Sequence, residues 1–384
     1  MDFDLSEDQR LLTDSVTRLM ADHYSFAARK DHLKQPHGWS PALWAQFAEL
    51  GLLGLPFAEE YGGFGGGAVE TMLVMEQFGR ALVVEPYVAT VVLAGTAIRL
   101  AGTAEQKQAL LPRIAEGNLK LAFAHAERQA RYDLTDVLTT ATHDGQGWLL
   151  DGAKAVVTHG DCADRLVVSA RTAGERDAAA GITLFLVDAD APGVARRGYV
   201  VRDEQRAADI ALSNVRVADA DVLGEVGQGW RLVQESLAFE RVGIARYARC
   251  ERLLLAAPRV LGDEWETLPG ELRARWARML THCRRARLLA YHVISLQAAG
   301  TVSPGDVASY RIAVTRLDQE SAEVLMDILG LAGLSGADGV WFRGEVEDHV
   351  RYAQASTVAS GSIEMQRILL ARTLLRPQTR AGEA

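Results

Sequence analysis

The chain of 384 residues is 48% hydrophobic and 24% charged, a globular balance with length for two or three domains and disorder expected only across the final QTRAGEA. Its net charge of -9 and pI near 5.6 argue against nucleic acid as the main partner, because polyphosphate binding is driven by basic patches that release counterions. No run approaches the roughly 20 apolar residues that cross a bilayer, and MDFDLSEDQRLL lacks the basic and then apolar character of a signal peptide, so a cytoplasmic protein outside the membrane is expected.

From Leu5 to about Leu121 apolar residues recur at spacings of three and four, which predicts helices throughout. Ser6, followed by acidic residues and Gln9, and Ser40 before Pro41 are predicted helix starts; Gly102 and Gly117 are predicted stops. Between about Ala122 and Val226 the character changes to short alternating or β-branched runs such as KAVVTHG, DRLVVSAR and GITLFLVDA, separated by turn signals at Asp144-Gly145 and Asp151-Gly152. These predict a small antiparallel sheet or barrel. From Gly227 four long periodic segments return, beginning GWRLVQES, ELRARWAR, DVASYRIA and SIEMQRIL, and predict an antiparallel four-helix bundle. The expected fold class is therefore α+β, with a helical domain over 1–121, a β domain over 122–226 and a bundle over 227–384.

On the first bundle helix, Glu240 stands alone among uncharged neighbours at offsets of three, four and seven: Val233, Ser236, Leu237, Gly243, Ile244 and Tyr247. A carboxylate on such a stripe is expected to be partly buried, and burial raises a carboxyl pKa in the way that suits a base working near neutrality. The alternative is an ion pair with an arginine of another helix, such as Arg278 or Arg285. Arg241 points about 100° away, towards the surface or a phosphate.

Other features carry less. EEYGGFGGGAVE places Gly62, Gly63, Gly65, Gly66 and Gly67 before a helix, with Gly54 upstream, so backbone N–H groups there either approach a ligand or form an interhelical loop. No strand precedes them and the spacing is not that of a dinucleotide fingerprint. Gly330, Gly333 and Gly336 read as helix stops, and the six arginines around Trp276 as a solvated or intersubunit face. Cys162, Cys250 and Cys283 suit neither a disulfide framework nor a zinc site. His125 and His159 lack metal-ligand spacing.

Four segments in the right order resemble the acyl-CoA dehydrogenase family over essentially the whole chain: LGLLGLPFAEEYGGFGGG, GAKAVVTHG, VGQGW and SGSIEMQRILLAR. The resemblance implies a helical N-terminal domain, a β-barrel-like middle domain, a C-terminal four-helix bundle and FAD bound at a subunit interface. It implies that a carboxylate removes the α-proton of an acyl-CoA thioester while hydride leaves the β-carbon for the flavin, with electrons passed to an electron-transferring flavoprotein. Many members place the base immediately before the glycine of the C-terminal motif, where this chain has Ser360. A smaller branch places it on the first bundle helix before an arginine, which here is Glu240 followed by Arg241.

Carried over position by position, the resemblance implies flavin contacts from Phe123, His125, Ala126, Thr158, Ser362, Glu364 and Gln366, and substrate contacts from Tyr132, Arg241 and Ser360. Departures accompany it. The tryptophan that usually packs on the flavin is Val156, the usual TEP.AGSD stretch reads AERQARYD, the R..FG segment is missing, and QILGGNG has become DILGLAG. These changes point to a flavin site that a related subunit completes, as in the small subunits of pimeloyl-CoA-type dehydrogenases and of steroid catabolism. A homodimer or a heterotetramer is thus expected. Two alternatives are a non-catalytic partner subunit, in which Glu240 is structural, and a flavin monooxygenase on the same fold.

Overall fold

A computed structural model describes residues 4–131, 133–330, 341–359 and 361–375. Two compact units divide the chain, the first spanning Asp4–Ile244 and the second beginning at Ala245.

The first unit opens with helices α1 (Glu7–His23), α2 (Phe26–Leu33), α3 (Pro41–Glu49), α4 (Ala68–Ala81), α5 (Thr96–Ala101) and α6 (Ala104–Ala115), with a π-helical segment Val88–Gly95 before α5. Their ends follow local chemistry. Ser6 and Gln9 form a reciprocal capping box at α1, Ser40 caps α3 with Pro41 in its first turn, and Thr103 and Gln106 repeat the box at α6. Gly102 follows α5, and Gly117 follows α6 with φ 76°, a conformation that favours glycine.

The glycine loop before α4 is built for close packing. A Cβ on Gly63 would lie 2.1 Å from the Phe57 carbonyl oxygen. The N–H groups of Gly62, Gly63, Phe64, Gly65 and Gly66 all donate to backbone carbonyls of the same loop, and that of Gly67 donates to the Glu70 carboxylate at 2.8 Å. None is left to approach a ligand, so the interhelical-loop alternative is the one the structure supports.

The strands are β1 (Leu121–Ala124), β2 (Thr140–His143), β3 (Trp148–Thr158), β4 (Arg165–Arg171), β5 (Ile182–Asp188), β6 (Val194–Val200), β7 (Arg206–Val217) and β8 (Val222–Leu223). They pair in the order β6-β7-β3-β2-β4-β5-β8, with β1 added on β4. The predicted sheet was antiparallel; the observed one is mixed, because β1 and β2 both run parallel to β4. Chain direction leaves no trace in the alternation of a single strand, which explains the difference. Leu150, Leu166, Val168, Phe185, Ile210 and Val215 form the heart of the sheet's core. Helix α7 (Gly229–Gly243) completes this unit, burying Leu232, Val233, Ser236 and Leu237 and packing on α4, α5, the π-helical segment and β5.

The periodic run after Gly227 is not one helix. It breaks at Ile244–Arg246, where Ala245 has φ 46°, and resumes as α8 (Tyr247–Leu261), followed by α9 (Glu264–Thr267), α10 (Gly270–Ala298), α11 (Pro304–Leu329), α12 (Trp341–Ala355) and α13 (Ile363–Leu374). Helix α12 was not among the predicted segments. Its buried positions include Glu345, Asp348 and His349 beside Phe342 and Val346, so the apolar periodicity that announces a helix is interrupted by polar groups that find partners inside the bundle. Arg252 donates to Glu345 at 2.7 Å, Arg249 pairs with Asp348, and His349 meets the Ser321 hydroxyl at 2.9 Å. The three cysteines are buried, and none of them is in a disulfide among the described residues. Among the described residues no helix is long and apolar enough to cross a membrane.

Candidate functional site

The polar chemistry of the first unit gathers where β1 ends. Strand β1 is buried along its length and is anchored through the Thr90 hydroxyl, which donates to the Leu121 carbonyl and accepts from its N–H, both at 3.1 Å. Phe123 lies in the strand, and His125 and Ala126 follow directly after its end. The Phe123 and His125 rings lie 5.4 Å apart. Nδ1 of His125 is buried without a hydrogen-bond partner among the described residues. Burial, reinforced by the charges of Lys154 and Arg241 and opposed by the Phe123 backbone, pulls the His125 imidazole down to about 4, so the ring is neutral at pH 7.

The next residue but one, Glu127, organises the segment that follows. One of its carboxylate oxygens accepts from Lys154 Nζ at 2.6 Å and the Thr139 N–H at 3.1 Å; the other accepts from the Leu138 N–H at 2.8 Å and Gln129 Nε2 at 2.7 Å. Burial alone would raise this carboxyl, but the Lys154 charge and these hydrogen bonds hold it below the usual range. Lys154 Nζ also donates to Ser169 Oγ at 3.1 Å. Farther along, Arg171 donates to the carbonyls of Thr135, Val137, Ala173, Arg176, Ala178 and Ala180, tying residues 135–137 to the turn over 173–181.

Lys154 precedes an irregularity in β3. The register runs from Lys154 opposite Ile210 to Val157 opposite Ala208, so one extra residue is accommodated as a bulge. Within it the Ala155 N–H donates to the Ala126 carbonyl at 2.9 Å, and Val156 adopts φ 54°. That left-handed conformation costs a β-branched residue on the order of 1–3 kcal/mol. The Val156 N–H is met by Asp209 at 3.4 Å. Asp209 in turn accepts from Arg128 at 2.8 Å, Arg197 at 3.0 Å and the Tyr199 hydroxyl at 3.1 Å. These bonds outweigh the cost of its partial burial and hold its carboxyl down to about 2. Thr158, half-buried, closes the strand opposite Ala207.

Glu240 and Arg241 lie in the last turn of α7, both half-buried. Val233, Ser236, Leu237 and Gly243 around them are buried. Burial pulls the Arg241 guanidinium down against the opposing charge of Glu240, and its Nε is buried with no hydrogen-bond partner among the described residues. Its charge is felt at His125, so β1 and the end of α7 share one electrostatic neighbourhood.

The remaining predicted contacts belong to the second unit or lie outside the description. Ser362 caps α13 by accepting from the Met365 N–H at 3.3 Å. Glu364 is exposed in the first turn and Gln366 is buried. Arg311 holds the turn before them through the Ala359 carbonyl at 2.9 Å. Tyr132 and Ser360 lie outside the described residues. Among the described residues no group of three or more His, Cys, Asp or Glu side chains is placed to hold a metal ion.

Glu127, Lys154 and Asp209 were not singled out in the sequence. A lysine inside the strand run AKAVV was a usable signal, since buried lysines are paired, but nothing local identifies a partner 27 residues away.

Comparison with known proteins agrees along the chain. Residues 6–118 match the model of the acyl-CoA dehydrogenase N-terminal domain, residues 122–215 that of the middle domain and residues 227–375 that of the C-terminal domain. A probable acyl-CoA dehydrogenase of Bacillus subtilis, YngJ, is 26% identical over 98% of this chain and 100% of its own. Among solved structures, the Tcur3481-Tcur3483 steroid ACAD is 25% identical with a TM-score of 0.89 over 98% of this chain and 99% of that one. The ChsE4-ChsE5 complex from Mycobacterium tuberculosis is 26% identical with a TM-score of 0.85, over 98% and 99% of the two chains. Since all three family domains match in order, the chain belongs to the acyl-CoA dehydrogenase family, oxidoreductases that act on CH–CH bonds.

Proposed function

We propose that this chain is a subunit of an FAD-dependent acyl-CoA dehydrogenase and that Glu240 is its base. The observation that carries the assignment is the setting of Glu240: a half-buried carboxylate at the end of α7, on a face of buried uncharged residues. The end of β1 fits a flavin. A neutral imidazole with an unpartnered buried Nδ1 and a half-buried threonine suit a flat heterocycle with neutral donor and acceptor edges better than an anion or a metal ion. Phe123, His125, Ala126 and Thr158 would hold that ring; Ser362, Glu364 and Gln366 are flavin contacts proposed on the family resemblance alone.

Bound there, FAD would supply a two-electron acceptor for the hydride leaving the β-carbon, with an electron-transferring flavoprotein as the proposed onward partner. Glu240 takes the α-proton onto its carboxylate, so the C–H bond electrons become the new carbon–carbon double bond. Arg241, beside Glu240, is the proposed contact for the acyl-CoA. Tyr132 and Ser360 complete the proposed substrate positions.

The departures at Val156 and over 126–133 support a mixed oligomer with a related chain, on an acyl group of the bulky, steroid-like kind. Likeness to a steroid acyl-CoA dehydrogenase and to a complex of two named chains supports that choice. Glu240→Gln tests the base. Turnover of the flavin-loaded complex should fall by about 10²–10⁴-fold with FAD retained; unchanged turnover would make Glu240 structural and this chain a non-catalytic partner subunit.

A further inference from the structure

In a regular strand Lys154 and Val156 would face the same side of the sheet, because side chains alternate with a period of two. In β3 they do not: Lys154 is 1% exposed and Val156 is 59% exposed. The extra residue between Lys154 and Val157 turns Val156 outward. Both sides of this bulge are held by carboxylates from elsewhere in the unit. On the buried side Glu127 grips Lys154 at 2.6 Å and, through the Leu138 and Thr139 N–H groups, the segment that follows β1. On the exposed side Asp209 meets the Val156 N–H at 3.4 Å while two arginines and a tyrosine fix the carboxylate itself. Between them the Ala155 N–H ties the bulge directly to the Ala126 carbonyl at 2.9 Å.

We infer that Glu127 and Asp209 are positioning residues that lock the Ala155–Val156 bulge from its two sides, and thereby set the edge formed by His125, Ala126 and Thr158 to receive a flavin ring. The inference rests on the flavoprotein reading above. Neither carboxylate touches the reacting atoms; each acts through the backbone of β3. The left-handed backbone of a β-branched residue persists only where its surroundings over-determine it, and two independent carboxylates supply that constraint. The Glu127–Lys154 pair also holds Ala126 and Ala155 in register, so the lock joins the two chain segments whose residues are proposed to meet the ring.

The test uses the full chain, with its partner subunit where flavin loading requires it, and two variants. Asp209→Ala removes the outer hold at a partly exposed site. Glu127→Leu combined with Lys154→Met removes the inner hold while leaving no unpaired charge in the core. Amide exchange at Ala155 and Val156 should quicken in each variant while β4 and β5 keep their protection. FAD affinity should weaken by about tenfold or more, the effect of losing one charge-assisted hydrogen bond's worth of preorganisation, and the visible absorption bands of bound flavin should shift. Wild-type affinity and spectrum in both variants, or unchanged exchange at the bulge, would overturn the inference and leave the flavoprotein reading standing. A wild-type complex that takes up no FAD would overturn that reading and with it the purpose assigned to the lock, whereas the exchange rates would still show whether the bulge is held.

Discussion

Replacing Lys154 by methionine removes one half of a buried ion pair and leaves Glu127, 5% exposed, in the interior without its cation. Breaking such a pair from one side costs about 3–5 kcal/mol, because the surviving charge has lost its water and gained nothing in exchange. Three donors, from Gln129, Leu138 and Thr139, still reach the carboxylate, which places the expected loss near the lower bound, about 3 kcal/mol. The pH dependence supplies a second signature. In the native chain the Glu127 carboxyl is held below its ordinary value, so its contribution is present above the unfolded value and is lost as pH falls through the folded one. Without Lys154 burial dominates and raises that carboxyl, the sign reverses, and the variant's deficit should shrink on acidification towards pH 5. Denaturant unfolding of both proteins, followed by far-UV circular dichroism and tryptophan fluorescence, measures both effects. A deficit below about 1 kcal/mol that is flat with pH would refute the picture of a desolvated pair.

Other outcomes follow from the same kind of contact. Gly63→Ala should lower stability by about 2 kcal/mol or more, since the new Cβ would sit 2.1 Å from one carbonyl oxygen and 2.6 Å from another; a thermal melt within a degree of wild type would contradict it. Arg171→Met strips six carbonyls of a shared donor and should cost about 3 kcal/mol or more, with limited proteolysis shifting to residues 173–181. His125, His159 and His349 are pulled down by burial to about 4, 4 and 3. Each stays neutral in the folded state while it charges in the unfolded one, so stability should decline as pH falls below about 6.5, by at most about 1.4 kcal/mol per pH unit for each histidine. Melting temperatures that stay level from pH 7 to 5 would be inconsistent with neutral imidazoles at these three positions.

The sequence by itself determined what depends on near neighbours. Capping boxes at Ser6 and Thr103 and the Pro41 start satisfy groups within four residues of one another, and the buried stripe beside Glu240 is a property of one helix turn and the next. The order of helical, strand and helical segments follows from the same short-range periodicities. Tertiary structure decided everything that needed a distant partner. It paired Lys154 with Glu127 and Asp209 with the Val156 backbone, ran β1 parallel to β4, and spent the glycine-loop N–H groups on their own carbonyls. It also built α12 around charged side chains that no apolar pattern announces. The physical reason is common to all of these. A polar group's burial is tolerable only once its partner arrives, and that partner is chosen by chain topology, over separations at which hydrophobic period and turn chemistry carry no information.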